Sequence, residues 1–172
     1  MILNMVKSQI DTIELRRRVE VKIDQCLKQA ERYFNMRLTK PIFNFKQRGR
    51  SAGTAYLQTN EMRFNAFMLN QDPEKFIDEV VPHEVAHLVV YQVYGSKPKP
   101  HGPEWVAIME HLFNVDAERT HTFEVPKPKR LYLYQCGCQT HEFTAHRHGR
   151  VKRGTQYLCK LCKEPLVFLH AN

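Results

Sequence analysis

No run among the 172 residues approaches the about 20 apolar positions that a membrane-spanning helix needs, so no bilayer crossing is predicted. The N-terminal MILNMVKSQI is too short in apolar residues for a secretory signal, and acidic Asp11 and Glu14 follow it closely. Together these absences predict a soluble, intracellular protein. No internal repeat or low-complexity segment is present, which excludes solenoid and fibrous architectures. Cysteine is scarce, at five residues, and four of the five fall into two close pairs. In a reducing compartment such pairs serve as metal ligands more often than as disulfides. Acidic residues are also short, with 18 Asp+Glu against 26 Lys+Arg and a formal charge of +8. That excess favours polyanionic partners such as nucleic acid, although a solvated basic surface carries it equally well.

The length suits one ordinary domain, or a compact domain with a small appendage, and is enough to bury a real core. Residues 10–38 place Val19, Ile23, Cys26, Leu27, Ala30, Tyr33 and Phe34 at three- and four-residue spacing, which predicts a long amphipathic helix with Cys26 in its core face. After Pro41 the pattern shortens. Ile42, Phe43 and Phe45, a Gly/Ser break over residues 49–53, then TAYLQT and EMRFNAFML predict two or three short antiparallel strands. One of these is a candidate edge for pairing with an extended peptide. Asp72-Pro73-Glu74 is a good helix start and Gly95 a good helix stop. Pro82 interrupts the run between them, so the segment is either kinked there or made of two helices, with residues 83–94 helical in both cases. PEWVAIMEHLF predicts a third helix, with Trp105, Ile108 and Leu112 on one face. VPKPKR, residues 125–130, reads as a proline-rich basic connector between a region 1–125 and an appendage 130–172, in which YLYQCGC and TQYLCKLC look like strand ends carrying cysteines. The predicted class is α+β.

His83-Glu84-Val85-Ala86-His87 is an H-E-x-x-H pattern. On a helix the two imidazoles lie one turn apart on one face and reach a single ion, while the Glu84 carboxylate sits beside the water that ion binds. Zinc lowers the pKa of such a water to about 7, and a neighbouring carboxylate can take its proton as the oxygen attacks a carbonyl. Composition alone yields the pattern in roughly 0.03 chains of this kind, so the pattern by itself is a hypothesis. The apolar helix around it raises the reading, because polar groups there are costly to bury without a partner. A catalytic zinc needs a third protein ligand and an open position. His101 is preferred, since it starts the third helix and Gly102 beside it permits close approach. Glu104 is the competitor, with His111 and His121 more distant. Trp105 and Met109 are placed to pack beneath such a site, as core residues.

Cys136-x-Cys138, twenty intervening residues and Cys159-x-x-Cys162 can supply four thiolates to one closed tetrahedral site. His141, His146 and His148 are near enough to replace one of the first pair. Redox chemistry of the C-x-x-C pair fits less well, because no βαβ pattern accompanies it. A structural zinc would contribute directly to folding an appendage with so little core. Lys127, Lys129, Arg130, Arg147, Arg150, Lys152, Arg153, Lys160 and Lys163 are interleaved with Tyr132, Tyr134, Phe143 and Tyr157, a composition able to grip phosphates and stack bases.

In order along nearly the whole chain, FIDEVVPHEVAHLVV, KPHGPEWVAIM, YQCGC and YLCKLC closely resemble the bacterial SprT family, which is related to the SprT-like domain of the eukaryotic Spartan proteases that cleave proteins crosslinked to DNA. The resemblance implies a small zincin-like fold, a catalytic zinc on His83, His87 and His101 with Glu84 as acid/base, and a zinc-ribbon-like segment holding a second, structural zinc on Cys136, Cys138, Cys159 and Cys162. It also implies a cytoplasmic location. The motif positions show no departure, whereas the long tails of the eukaryotic proteins are absent, so recruitment of partners through tails is not expected. The activity expected is therefore a zinc-dependent metalloendopeptidase acting on protein substrates, DNA-associated or DNA-crosslinked ones among them. The alternatives are a nucleic-acid-binding zinc protein with absent or repressed proteolysis, and a zinc hydrolase of a non-peptide amide.

Overall fold

The computed structural model describes residues 2–125 and 130–171; of the proline-rich connector, residues 126–129 lie outside the described residues. The chain divides into two compact units, Met1–Val125 and Pro126–Asn172. The class is mixed α+β, with small three-stranded sheets and helices both long and short. Among the described residues no helix is long and apolar enough to cross a membrane.

In the first unit, α1 runs Ile2–Phe34, earlier at its start than the periodicity predicts and shorter at its end. It stops because Asn35 takes a left-handed conformation, φ 48°, which asparagine tolerates better than most residues. Val19, Ile23, Cys26, Leu27 and Ala30 are buried as expected, but Tyr33 is exposed. Burial pushes the Cys26 thiol up to about 12, so it is an inert core residue.

The sheet corrects the expectation of an antiparallel arrangement. β1 (Ile42–Asn44), β2 (Gly53–Tyr56) and β3 (Glu61–Phe64) form a sheet ordered β1-β3-β2. β2 pairs with β3 antiparallel, through a 3₁₀ turn at Leu57–Thr59 and a left-handed Asn60. β1 pairs with β3 parallel. The reason lies in the order: β3 takes the centre, so β1, which runs opposite to β2, must run with β3. The run EMRFNAFML is also not one strand. Asn65 ends it by capping α2 (Ala66–Gln71), its side chain accepting from the Phe67 N–H at 3.1 Å.

Asn65 is buried and does more than cap. Its Nδ2 donates to the carbonyls of Gly49 and Ser51, at 3.3 and 3.2 Å, and its main-chain N–H donates to Ala52 at 2.8 Å. The loop that delivers the chain into β2 therefore hangs on one side chain. Asn65→Ala leaves two loop carbonyls and one helix N–H without that partner, and is expected to cost about 1–2 kcal/mol in denaturant unfolding of the first unit.

α3 (Pro73–Lys75), a π-helical turn at Phe76–Val80 and α4 (Val81–Tyr94) form one continuous helical path. Asp72 caps its start, accepting from the Lys75 N–H at 3.0 Å, and Gly95 closes its end with an N–H to Tyr91 O at 2.9 Å. Pro82 does not split the path. It sits in the first turn of α4, and the preceding turn widens so that Val81 N–H donates five residues back, to Phe76 O. A wider turn tolerates the N–H that proline lacks. The third helix is α5 (Pro103–Ala107), continued by a second π-helical turn at Ile108–Leu112. Val81, Val85 and Val89 of α4 pack with the α1 face, Met62, Phe64, Trp105 and Ile108 in one core.

The second unit is built on an antiparallel sheet ordered β5-β4-β6, from β4 (Leu131–Gln135), β5 (Thr140–Thr144) and β6 (Val167–Ala171). A helix unforeseen in the sequence, α6 (Ala145–Lys152), follows β5. The TQYLCKLC segment is not a strand end; it forms a turn closed by an isolated bridge between Leu158 and Pro165.

Candidate metal centres

α4 presents His83 and His87 one turn apart, as their four-residue spacing requires. His101 comes from the turn ahead of α5, in a left-handed conformation with φ 55°. That turn closes through Gly102 N–H to Lys99 O at 2.9 Å, and a Cβ on Gly102 would stand 2.9 Å from the same oxygen. Gly102 therefore permits the close approach of its own turn, which presents His101.

The three Nε2 atoms lie 3.2, 3.2 and 3.1 Å from one another. A tetrahedral zinc with Zn–N of about 2.0–2.1 Å sets its nitrogens about 3.3 Å apart, so the donor set fits one ion. Glu104, His111 and His121 are not part of this group. His121 points its Nε2 at Arg50 O, 2.8 Å away.

The support around the rings is aromatic and main-chain. Trp105, buried, stacks on His87 at 5.5 Å and 23°, and meets His83 and His101 edge-on at 4.8 and 4.7 Å. Its indole N–H donates to His83 O at 3.3 Å. The main chain of Glu118 acts on the His83 ring to raise its pKa, against the larger effect of burial.

Desolvation is the main cause that holds His83 down to about 4 and His87 to about 3; His101 is lowered too, by burial and then by Arg119. Between about pH 4 and the ordinary 6.5 the folded, metal-free protein thus holds fewer protons than the unfolded chain. The stability linked to these rings is complete above pH 6.5 and is lost as pH falls through that window. Metal retention would follow the same sign, because an ion held here would be bound by neutral imidazoles. Zinc is expected to stay bound as pH falls through 6.5, with release starting at about pH 5 or lower in an acid titration read by a colorimetric chelator.

Glu84 is buried, at 6% exposure, which pushes its carboxyl up to about 8 against the opposing hydrogen bond from the Ala55 N–H. A cation held by the adjacent imidazoles would pull it down again. Gly53 lies against the same carboxylate. The Gly/Ser break thus hides one contributor to the site, and the only signal in the sequence was a glycine at a strand start, which often marks close approach.

In the second unit the sulfurs of Cys136, Cys138, Cys159 and Cys162 lie within 4.8 Å of one another. Cys138 Sγ is 3.5 Å from Cys136 Sγ and 3.6 Å from Cys159 Sγ, where a tetrahedral zinc with Zn–S of about 2.3 Å requires about 3.8 Å. Main-chain N–H groups aim at these sulfurs, among them Leu161 N–H at 3.4 Å from Cys159 Sγ, and such donors bring the Cys159 thiol down to about 5. Glu164 ties the two cysteine turns together: its carboxylate accepts from Gly137 N–H at 2.7 Å and its carbonyl from Cys159 N–H at 2.8 Å. His141 flanks the cluster, Nε2 3.4 Å from Cys136 Sγ. His148 instead shares a hydrogen bond with the Tyr134 hydroxyl, 2.8 Å from its Nδ1, and stacks on Tyr132, and His146 is exposed.

The aromatic residues of this unit are mostly spent on its own packing. Tyr134 and Phe143 are fully buried and stacked at 4.4 Å, and Arg147 lies 3.8 Å over Phe143. The charge, by contrast, is outside. Arg130, Arg150, Lys152, Arg153, Lys160 and Lys163 are all exposed. Residues 126–172 carry nine Lys+Arg against two Asp+Glu, or +7 of the chain's +8.

Residues 23–122 match the SprT-like family. Protein SprT of Pasteurella multocida (strain Pm70) is 43% identical over 164 residues, 94% of this chain and 99% of its own length. Protein SprT of Serratia proteamaculans (strain 568) is 44% identical over 158 residues, 91% of this chain and 92% of its own. Protein SprT of Pseudomonas syringae pv. syringae (strain B728a) is 41% identical over 150 residues, 86% of this chain and 92% of its own. No solved structure matches the chain. With the family matched across the site-bearing unit and relatives of this identity spanning nearly the full length, the chain belongs to the SprT-like family.

Proposed function

We propose that the chain is a zinc-dependent metalloendopeptidase acting on proteins associated with DNA. The observation that carries the reading is the convergence of three imidazole Nε2 atoms at 3.1–3.2 Å, two of them from the helix that also carries the buried carboxylate of Glu84. His83, His87 and His101 are the ligands and Glu84 is the acid/base. Zinc in that set supplies a water of lowered pKa and a Lewis acid for the carbonyl. Glu84 takes the proton of the attacking water and returns it to the leaving amine; burial, which raises its basicity, serves that shuttle. β2 lies at a sheet edge next to Glu84, and an extended substrate can add to it as a strand, which recognises main chain rather than sequence. The first unit is read as a zincin-like domain and the second as a zinc-ribbon-like module with a structural zinc on its four cysteines. A cytoplasmic location suits four cysteines that must stay reduced.

The second unit's exposed charge is the support for contact with DNA. With its aromatics largely packed inside, binding should be dominated by phosphates and fall steeply with salt. That same concentration of charge favours the second reading, a nucleic-acid-binding zinc protein whose proteolysis is absent or repressed. Metal analysis is expected to give two zinc ions per chain. Cleavage of DNA-bound protein by the wild type, stimulated by DNA and lost in Glu84→Gln, supports the peptidase; salt-sensitive DNA binding with no cleavage by either protein supports the alternative.

A further inference from the structure

Gly53 owes its identity to Glu84, not to its own backbone. Its φ is outside the left-handed region, so any residue can adopt its conformation. A Cβ there would nevertheless stand 2.6 Å from Glu84 Oε1, 2.7 Å from Cγ and 2.9 Å from Cδ. Neither main chain has room to retreat. Gly53 is paired with Phe64, whose ring is fully buried, and Glu84 stands on α4 between two histidines of the cluster. What can yield is the far end of the Glu84 side chain.

We propose that Gly53 is a positioning residue: its bare Cα is the seat that lets the Glu84 carboxylate lie against β2, on the helix turn that carries His83 and His87. The catalytic meaning of the seat rests on the peptidase reading; the seat itself does not.

Gly53→Ala tests it, because the methyl group should displace the carboxylate and spare the metal ligands. Zinc affinity is expected to stay within about threefold of wild type. Acetohydroxamate, which binds zinc as an anion after giving its proton to a neighbouring base, is expected to bind the zinc-loaded variant about tenfold or more weakly, as it binds Glu84→Gln. Peptidase kcat should fall about 100-fold with KM nearly unchanged. Introduced into Glu84→Gln, the substitution should cost nothing further in either readout. A stability cycle needs no metal: Gly53→Ala should lower Tm with Glu84 present and raise it in Glu84→Ala, where the methyl has room and the unfolded chain loses freedom. Wild-type acetohydroxamate binding in Gly53→Ala, or an equal drop in Tm in both backgrounds, would overturn the proposal. If Gly53→Ala alone fails to fold, a folded Gly53→Ala/Glu84→Ala double variant upholds it and an unfolded one overturns it. A wild type that cleaves nothing, with the acetohydroxamate and Tm results as expected, leaves the seat standing and sinks the peptidase reading.

Discussion

Glu84→Gln is expected to lower peptide cleavage by about 10³-fold while both zinc ions stay bound, because the amide keeps the side chain's shape and its place against β2 but cannot take a proton. The histidines are untouched. A second consequence separates this residue from an ordinary buried acid. With a folded pKa near 8 against an ordinary 4.5, metal-free protein holds more protons at Glu84 than the unfolded chain does across that interval. The stability Glu84 contributes is therefore complete below pH 4.5 and is lost as pH rises toward and past 8. His83 and His87 titrate lower, so the interval from pH 6.5 to 8 reports mainly on Glu84. In EDTA, wild-type Tm should fall across that interval while that of Glu84→Gln stays flat, leaving the variant more stable at pH 8 by on the order of a few kcal/mol. With zinc bound, the cation stabilises the carboxylate and the difference should shrink. Equal cleavage by the two proteins would end the acid/base role; equal Tm slopes would end the claim that the carboxylate is buried and unpaired in the metal-free state.

The ligand groups were legible because their spacing does the structural work. A four-residue interval on an apolar helix places His83 and His87 on one face whatever the rest of the chain does, and two close cysteine pairs bring their sulfurs together once a sheet joins them. What could not be read is what comes from the main chain at a distance. Gly53 looked like a loop breaker, and its closeness to Glu84 depends on β2 being the edge strand next to α4, which no local pattern encodes. The strand pairing failed for a related reason: three short apolar runs suggest hairpins, and only the central place of β3 makes β1 parallel to it. Pro82 was ambiguous because sequence records the missing N–H but not the π-helical turn that accommodates it. In the second unit, alternating Tyr and Arg suggested a surface for bases, yet Tyr134 and Phe143 are its core. So small a unit has few other large side chains to bury, and its aromatics go inside.

That scarcity makes the cysteine cluster the second unit's main support. Tyr134 and Phe143 are its large fully buried side chains, Cys136 and Cys159 are themselves buried, and β6 is almost wholly exposed. An assembly of this size relies on a metal where larger domains rely on apolar area. Cys159→Ala removes the sulfur that main-chain donors already prepare as a thiolate, and three ligands cannot close the site. Zinc content is expected to fall from two ions per chain to one. Amide exchange should become about 100-fold or more faster through residues 131–171, and stay protected in α1 and α4 of the first unit. DNA binding should be lost with the fold that displays the basic side chains, whereas Glu84→Gln should bind DNA as wild type does. His87→Ala provides the mirror case: one zinc lost, the second unit still protected, DNA still bound. If Cys159→Ala kept its exchange protection in the sheet β5-β4-β6, the packing of Tyr134 on Phe143 would suffice to hold the unit, and its four cysteines would need another explanation.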